Sequence, residues 1–538
     1  MNWFKNRGVF ENFSVFCLLI LFPLFISIPV LNRFTTNEDE GISLYGAVRI
    51  LESQIPYRDF WHITLPGSVW TIAGAFYLFG ATLLTARILT FLIITGEGIV
   101  VFLIGRKLTE KTLYPLFASI FVFLFNLVPS INFTPHKPAV LFSLIGFYLV
   151  LRKSYLLSAI SLSLSTSFQQ NTGVLSAIGV FLFILTERFV KEKQDEQFQD
   201  RWLKNLISFT LTFLFPFVIF AIYLLATDSF KDAFYTLAVW PFRGYTAFNR
   251  YPYFNCEKEI FARALNLNGG VLQVLSNFSG LGTLLFIGYL PLLFFPFFIF
   301  YSVIKKNVLF YFLSLTGTFL FLSSFTRPDF LHVLYTLPVF FLLFFLTIAL
   351  AKDLKNKRTN IFLKVVRGFF MVFVFMILFE RAVGFLNVLA TPNETLKTVR
   401  GDIRVPLYTA QSIKPLFEFI EKNTKKGDRI FIYHWSPALY FYLDRDNATK
   451  FDAYKPVLNS KNQVEDILRS LKENPPALII RDDYIERIIN PDHPRSLSCT
   501  FPMVNRRALM EDNVDEWVSK NTTFIVNTGP YRLYKILN

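Results

Sequence analysis

Apolar residues in the first 390 positions come in long runs, each closed by a short polar or basic segment. Such runs lack the strict alternation of half-buried strands and match helices that are apolar on most sides. A bilayer-spanning helix needs about 20 mainly apolar residues. The runs at 13–31, 86–105, 112–128, 138–151, 155–168, 173–186, 205–226, 277–303, 309–325, 331–350 and 361–383 therefore predict about eleven spans, some of them short. The stretch 65–79 is also apolar, but Pro66, Gly67 and Gly74 interrupt it, which predicts a re-entrant or interfacial helix. Lys5 and Arg7 precede the first run and no small-x-small cleavage site is evident, so that run is expected to remain as the first span.

After about residue 391 the pattern changes, and no further run is long enough to span. Segments 429–434 and 477–480 read as buried strands, 464–471 as an amphipathic helix, and 523–526 and 531–536 as strands around Asn527-Thr528-Gly529-Pro530. The expected organisation is a transmembrane domain over 1–390, with a first outer loop at 32–85, followed by a small soluble α/β domain over 391–538.

Composition sharpens the class. The chain is 53% hydrophobic and only 17% charged, with 66 phenylalanines among 538 residues. These figures exclude a soluble enzyme, a disordered chain and a collagen-like repeat. The formal net charge of +15 would by itself suggest a nucleic-acid partner. Its distribution points elsewhere. Arg106, Lys107, Lys111, Arg152, Lys153, Lys305, Lys306, Lys352, Lys355, Lys357 and Arg358 all fall in alternate connections between spans. The positive-inside rule makes those connections cytosolic. With an odd number of spans, the N-terminus is expected inside and the C-terminal domain outside. The expected partner is then the lipid bilayer, with no nucleic acid, and the chain is expected to cross a cell membrane several times.

Three cysteines occur, Cys17, Cys256 and Cys499, without a CxxC or Cys/His cluster, so zinc and iron–sulfur signals are lacking. Cys17 lies in an apolar run, while Cys256 and Cys499 could pair outside the cell. No GxxxxGK[ST], HExxH or GxSxG motif occurs, which argues against nucleotide hydrolysis and zinc proteolysis.

The first outer loop carries the candidate chemistry. It contains Glu38-Asp39-Glu40-Gly41, followed by Leu44, Ala47, Val48 and Leu51 at helical spacing. This predicts an amphipathic helix along the membrane surface, with acids at its N-terminus where the helix dipole favours them. The acids read either as a capping cluster or as a carboxylate that takes a proton from an acceptor hydroxyl.

Downstream lie Ile55-Pro56-Tyr57-Arg58-Asp59-Phe60-Trp61-His62 and Leu65-Pro66-Gly67. A helix opening on Ala86-Arg87 closes on Gly105-Arg106-Lys107-Leu108. Further on come Gln169-Gln170-Asn171-Thr172-Gly173, then Arg327-Pro328-Asp329 with His332 and Pro338. The tail holds Gly427-Asp428-Arg429-Ile430-Phe431 and Ser436-Pro437-Ala438-Leu439-Tyr440. With Asp39-Glu40-Gly41 in the first loop, this set resembles the bacterial glycosyltransferase family 39 type, related to protein O-mannosyltransferases and aminoarabinose transferases. The resemblance implies a GT-C fold and a sugar donor carried on a polyprenyl phosphate. It also implies an acceptor arriving from outside, with inversion if one carboxylate activates the acceptor for direct displacement. By motif position Asp39 is the expected base, and Glu40 orients an acceptor or a neighbouring cation. Glu38 is an additional acid that leaves the choice among the three open.

A lipid phosphate needs cations near the outer membrane surface, and arginine offers a planar fork for its oxygens. The candidates are Arg58, Lys137, Arg243, Arg250 and Arg327, with His332 about one turn beyond Asp329. Asp59 and His62 are close enough on the loop to pair with each other or to orient the acidic site. Each has an alternative reading as an interfacial anchor or ion pair. Glu97, mid-span between two glycines, reads as a helix–helix hydrogen-bonding group. No cofactor is expected, with a divalent cation as the open alternative. The rival function is a transporter or flippase of lipid-linked glycans without bond chemistry. Such a protein would more readily show two similar halves with paired broken helices, which the sequence lacks.

Overall fold

The computed structural model describes residues 8–35, 37–128, 131–190, 196–245, 253, 270–350, 357–434, 436–455, 459–483 and 512–537. The membrane half opens with α1 (Gly8–Ser27), α2 (Glu38–Leu51), α3 (Gly67–Phe79) and α4 (Leu83–Leu108). It continues with α5 (Leu113–Leu127), α6 (His136–Leu151), α7 (Tyr155–Phe168), α8 (Gln170–Val190) and α9 (Glu196–Ala226). A short α10 (Phe230–Phe234) runs into two π turns, Tyr235–Val239 and Pro241–Tyr245. Then come α11 (Val271–Leu284), a π turn at Leu285–Tyr289, α12 (Leu290–Ile304) and α13 (Val308–Leu322). The last are α14 (Phe330–Tyr335), α15 (Pro338–Leu350) and α16 (Lys357–Ala390). Among the described residues, six helical runs are long and apolar enough to cross a membrane, and six more apolar helices are shorter.

Every expected apolar run coincides with a helix, but two runs differ in form. The run 277–303 lies within the continuous helical stretch Val271–Ile304, which passes through the π turn. The run 331–350 is instead broken into α14 and α15 at Thr336–Leu337. The break has a local cause, since the residue before a proline is pushed out of the helical region, and Pro338 follows Leu337.

Phenylalanine fills the interior of the helical half. Phe121, Phe286, Phe341 and Phe345 meet mostly edge to face, with centroids 4.9–6.0 Å apart. Such contacts add to simple area burial. Other apolar side chains, including Phe215, Ile222, Leu225 and Phe375, face outward, as lipid contact requires.

After α16 the chain forms a hairpin of β1 (Asn393–Thr398) and β2 (Gly401–Pro406), which the sequence pattern did not predict. Next come α17 (Leu407–Asn423), β3 (Arg429–Tyr433), α18 (Ala438–Leu443), β4 (Asp446–Asn447), α19 (Lys461–Glu473) and β5 (Leu478–Asp482). The described chain ends with α20 (Asn513–Asn521), β6 (Thr522–Thr528) and β7 (Tyr531–Ile536). The five strands form one mixed sheet in the order β4-β3-β5-β7-β6, parallel across β4, β3 and β5 and antiparallel across β7.

The helix α2, expected along the membrane surface, is packed within the protein. It packs on α3 and is also covered by α18 of the C-terminal region. Gly41 permits that approach, because a Cβ there would sit 2.4 Å from the Ala438 backbone nitrogen. One turn on, Tyr45 stacks on Tyr440 with centroids 5.0 Å apart, and its hydroxyl accepts from the Asn447 backbone N–H at 2.8 Å. Leu44, Val48, Ile72 and Ala86 share one apolar cluster with Ile403, Ile413 and Tyr440. The first loop and the C-terminal region are thus joined by a common core. Backbone bonds reinforce the join, with Phe34 N–H donating to the Arg404 carbonyl and Arg404 N–H to that of Asn32, each at 2.8 Å.

Candidate functional site

Where α2 begins, a cavity of about 240 Å3 opens between the helical half and the C-terminal region. Its wall takes Glu38 and Asp39 from α2, and Trp61, His62 and Thr64 from the loop that follows. His136 enters from α6, the Gln169-Gln170-Asn171 corner from the α7–α8 junction, and Arg327 and His332 from around α14. Trp240 comes from between the two π turns and Phe242 from the second, and Asp452 and Lys455 from the C-terminal region.

The acid cluster forms because Asn37 caps α2, its side chain accepting from the Glu40 N–H at 3.0 Å. Three acids in the first turn then complement the positive helix end. Their side chains diverge. Glu38 is ion-paired with Lys455. Burial drives the Glu38 carboxyl above its ordinary pKa, against the attraction of Lys455, and drives the Lys455 ammonium below its own. Glu40 turns away from the cavity and is fully buried, with Arg87 Nε 2.7 Å from one carboxylate oxygen and the Phe133 N–H donating at 3.1 Å. Asp39 lies between these fates. It lines the cavity, half-buried, and among the described residues its carboxylate has no hydrogen-bond or ion-pair partner.

Across the cavity, Asp329 caps α14, accepting from the Leu331 and His332 N–H groups at 3.1 and 3.0 Å. The same carboxylate holds Arg327 Nε at 2.8 Å and His332 Nδ1 at 2.8 Å. Burial opposes its charge, but His332 and Arg327 outweigh burial and hold its pKa well below the usual range. The His332 ring meets His136 edge to face at 4.9 Å, and His136 stacks on Tyr335 at 5.3 Å. One carboxylate therefore orients a guanidinium and an imidazole on the wall facing Asp39.

The remaining expected site residues fall elsewhere. Arg58 and Asp59 pair with each other at 2.9 Å outside the cavity, and Asp59 also accepts from the Ile55 N–H at 2.7 Å. The expected alternative of an Asp59–His62 pair does not form, because Arg58 and the loop backbone occupy that carboxylate. Lys137 points inward, donating to the Asn132 carbonyl at 2.6 Å and interacting electrostatically with buried Glu97. Arg243 is exposed on the second π turn and does not line the cavity. Arg250, Cys256 and Cys499 lie outside the described residues, and Cys17 is a free, half-buried thiol. Among the described residues, no group of three or more His, Cys, Asp or Glu side chains is arranged to hold a metal ion.

His62 does line the cavity, and its Nε2 lies 3.2 Å from the Thr64 hydroxyl. Burial pushes its pKa down to about 4, so the folded protein keeps it neutral. The ordinary value for histidine is about 6.5. The unfolded chain therefore binds the extra proton first, and stability is lost as pH falls from about 6.5 towards 4. Replacing His62 by glutamine is expected to flatten this part of the thermal-stability profile. An unchanged acid slope in a detergent-based unfolding series would refute that assignment.

Lys455 was not among the expected site residues. Lys455 carried no sequence signal, being 417 positions from its partner Glu38. His136, beside Lys137, lines the cavity, whereas Lys137 does not.

No family model matches the chain, and no curated protein matches it. Among solved structures it is similar to ArnT from Cupriavidus metallidurans. Against the crystal structure in the apo state the TM-score is 0.55, at 10% identity over 97% of this chain and 98% of that one. Against the crystal structure bound to undecaprenyl phosphate it is 0.53, at 11% identity over the same shares of the two chains. At such identity the likeness establishes the fold. The chain is a helical multi-pass membrane protein with a C-terminal α/β sheet region and the GT-C architecture of ArnT, which agrees with the fold that the sequence resemblance implied.

Proposed function

We propose that this protein is an inverting glycosyltransferase that moves a sugar from a polyprenyl-phosphate carrier to an extracytoplasmic acceptor. The acceptor class spans lipid A, another glycan, a protein or a lipid. The observation that carries the reading is the Asp39 carboxylate, without a hydrogen-bond or ion-pair partner among the described residues, on one wall of a cavity whose other walls bring Arg327, His332 and Lys455. The undecaprenyl phosphate in one of the similar ArnT structures supports the same donor class.

In this mechanism the acceptor oxygen forms a bond to the anomeric carbon as the bond from that carbon to the phosphate oxygen breaks. Asp39 takes the acceptor proton, and the departing electron pair stays on the lipid phosphate. General-base assistance of this kind contributes about 10²–10⁴-fold. Arg327, fixed by Asp329 at 2.8 Å, has the fork geometry suited to phosphate oxygens. His332, on the same carboxylate, presents its other ring nitrogen as a further polar group. The chemistry then occurs on the outer side, with the N-terminus inside, the C-terminal domain outside and the phosphate left in the inner membrane of a bacterium.

The test is a transfer assay on the purified protein in liposomes containing undecaprenyl-phosphate-linked sugars extracted from bacterial membranes. The expected result is release of free undecaprenyl phosphate as sugar appears on an added envelope acceptor. Lipid-linked sugar crossing the vesicle with no such release would identify a transporter instead.

A further inference from the structure

The C-terminal region does more than lie beside the cavity. Its segment 452–455 forms one wall, and Lys455 reaches the first acid of α2. The pair is largely shielded, with the Lys455 and Glu38 side chains 9% and 15% exposed. Lys455 also interacts electrostatically with Asp39 and, across the cavity, with Arg327. Two adjacent carboxylates, Glu38 and Asp39, thus open onto one confined space, and a cation from the far end of the chain is bound to only one of them.

We propose that Lys455 is a positioning residue for the transfer reaction: by engaging Glu38 it leaves Asp39 as the carboxylate that accepts the proton. This rests on the reading of Asp39 as the base. Without Lys455, two like charges in a partly dry cavity would share a proton, and their titrations would merge. A proton held in that pair is one Asp39 cannot take from the acceptor. The other groups around Asp39 do not substitute for Lys455. From the α14 side come Arg327 and His332, already held by Asp329, and Tyr335, which is uncharged at neutral pH. His136 enters from α6, and neutral His62 from the loop after α2. Asp452 is engaged by Arg49 at 2.5 Å. The C-terminal domain, on this view, is part of the catalytic apparatus and sets the charge of the base.

The experiment is a pH series of carbodiimide labelling on the full-length purified protein, with the modified residue located by mass spectrometry. Carbodiimide reacts with protonated carboxyls, so the midpoint at Asp39 reports its ionisation without any knowledge of the sugar or acceptor. Lys455→Met is expected to raise that midpoint by about one pH unit, the lower end of the effect of losing a nearby opposite charge. Glu38→Gln should lower it, because Lys455 then faces Asp39 alone. The double variant should return towards the wild type, and Lys455→Arg should stay close to it. An unmoved midpoint in Lys455→Met, or a double variant that stays with that single variant, overturns the proposal. If Lys455→Met does not fold, the opposite shift in Glu38→Gln decides the matter, and no shift there refutes it. Failure of the base reading is separate: it would appear as retained transfer by Asp39→Asn, whatever the labelling midpoints.

Discussion

Asp39→Asn is expected to lower sugar transfer by about 10²–10⁴-fold while leaving the fold and lipid binding intact. Asparagine matches aspartate in shape but cannot accept the acceptor's proton. The surroundings favour a clean result, because among the described residues no hydrogen bond or ion pair to this carboxylate is lost. Release of undecaprenyl phosphate measures the effect, and binding of undecaprenyl phosphate by the variant serves as the control. Transfer within a few-fold of wild type would remove Asp39 from the mechanism. If Glu38→Gln is the inactive variant instead, the base is one residue earlier and Lys455 is its counter-ion.

Arg87→Met is expected to cost about 3–5 kcal/mol of stability, the effect of leaving a buried charge without its partner. Arg87 and Glu40 are both essentially inaccessible to solvent, and a second bond to Glu40 comes from the Phe133 N–H. This pair ties α4 to the start of α2, and so fixes the turn that carries Asp39. Glu40→Gln combined with Arg87→Met should recover part of the loss, since a neutral amide tolerates burial better than a carboxylate. Thermal unfolding in detergent reads both. A single Arg87→Met variant as stable as wild type would mean that the pair contributes nothing to holding α2.

The same comparison separates two roles that the sequence left together. Glu38, Asp39 and Glu40 stand in consecutive positions and were legible as one acid cluster. Successive residues on a helix point about 100° apart, so three neighbours cannot face the same environment. Glu38 and Asp39 both open onto the cavity, Glu38 held there by Lys455, while Glu40 enters the interior against Arg87. Motif position singled out Asp39, but only the packed structure shows which partners its neighbours take. The cation assignments divided similarly. His332 could be read from its spacing after Asp329, because an Asp cap and a residue three positions on lie within one turn, and Arg327 from the familial Arg327-Pro328-Asp329 motif. Arg58 and Lys137 were also candidates and are held by the nearer partners Asp59 and the Asn132 carbonyl.

By itself the sequence determined the membrane class, the positions of the apolar helices, the change of composition near residue 391 and the acid cluster of the first loop. Those are local properties: hydropathy over one run, periodicity over a few turns, charge on one connection. The seating of α2 was not among them, because its apolar spacing fits a membrane surface as well as a protein core. What decided it was the close approach of Ala438 at Gly41 and the stacking of Tyr440 on Tyr45, contacts between residues about 400 positions apart. Lys455 belongs to the same category. A lysine in a polar tail carries no signal until folding encloses it with a carboxylate, where loss of water makes each charge depend on the other.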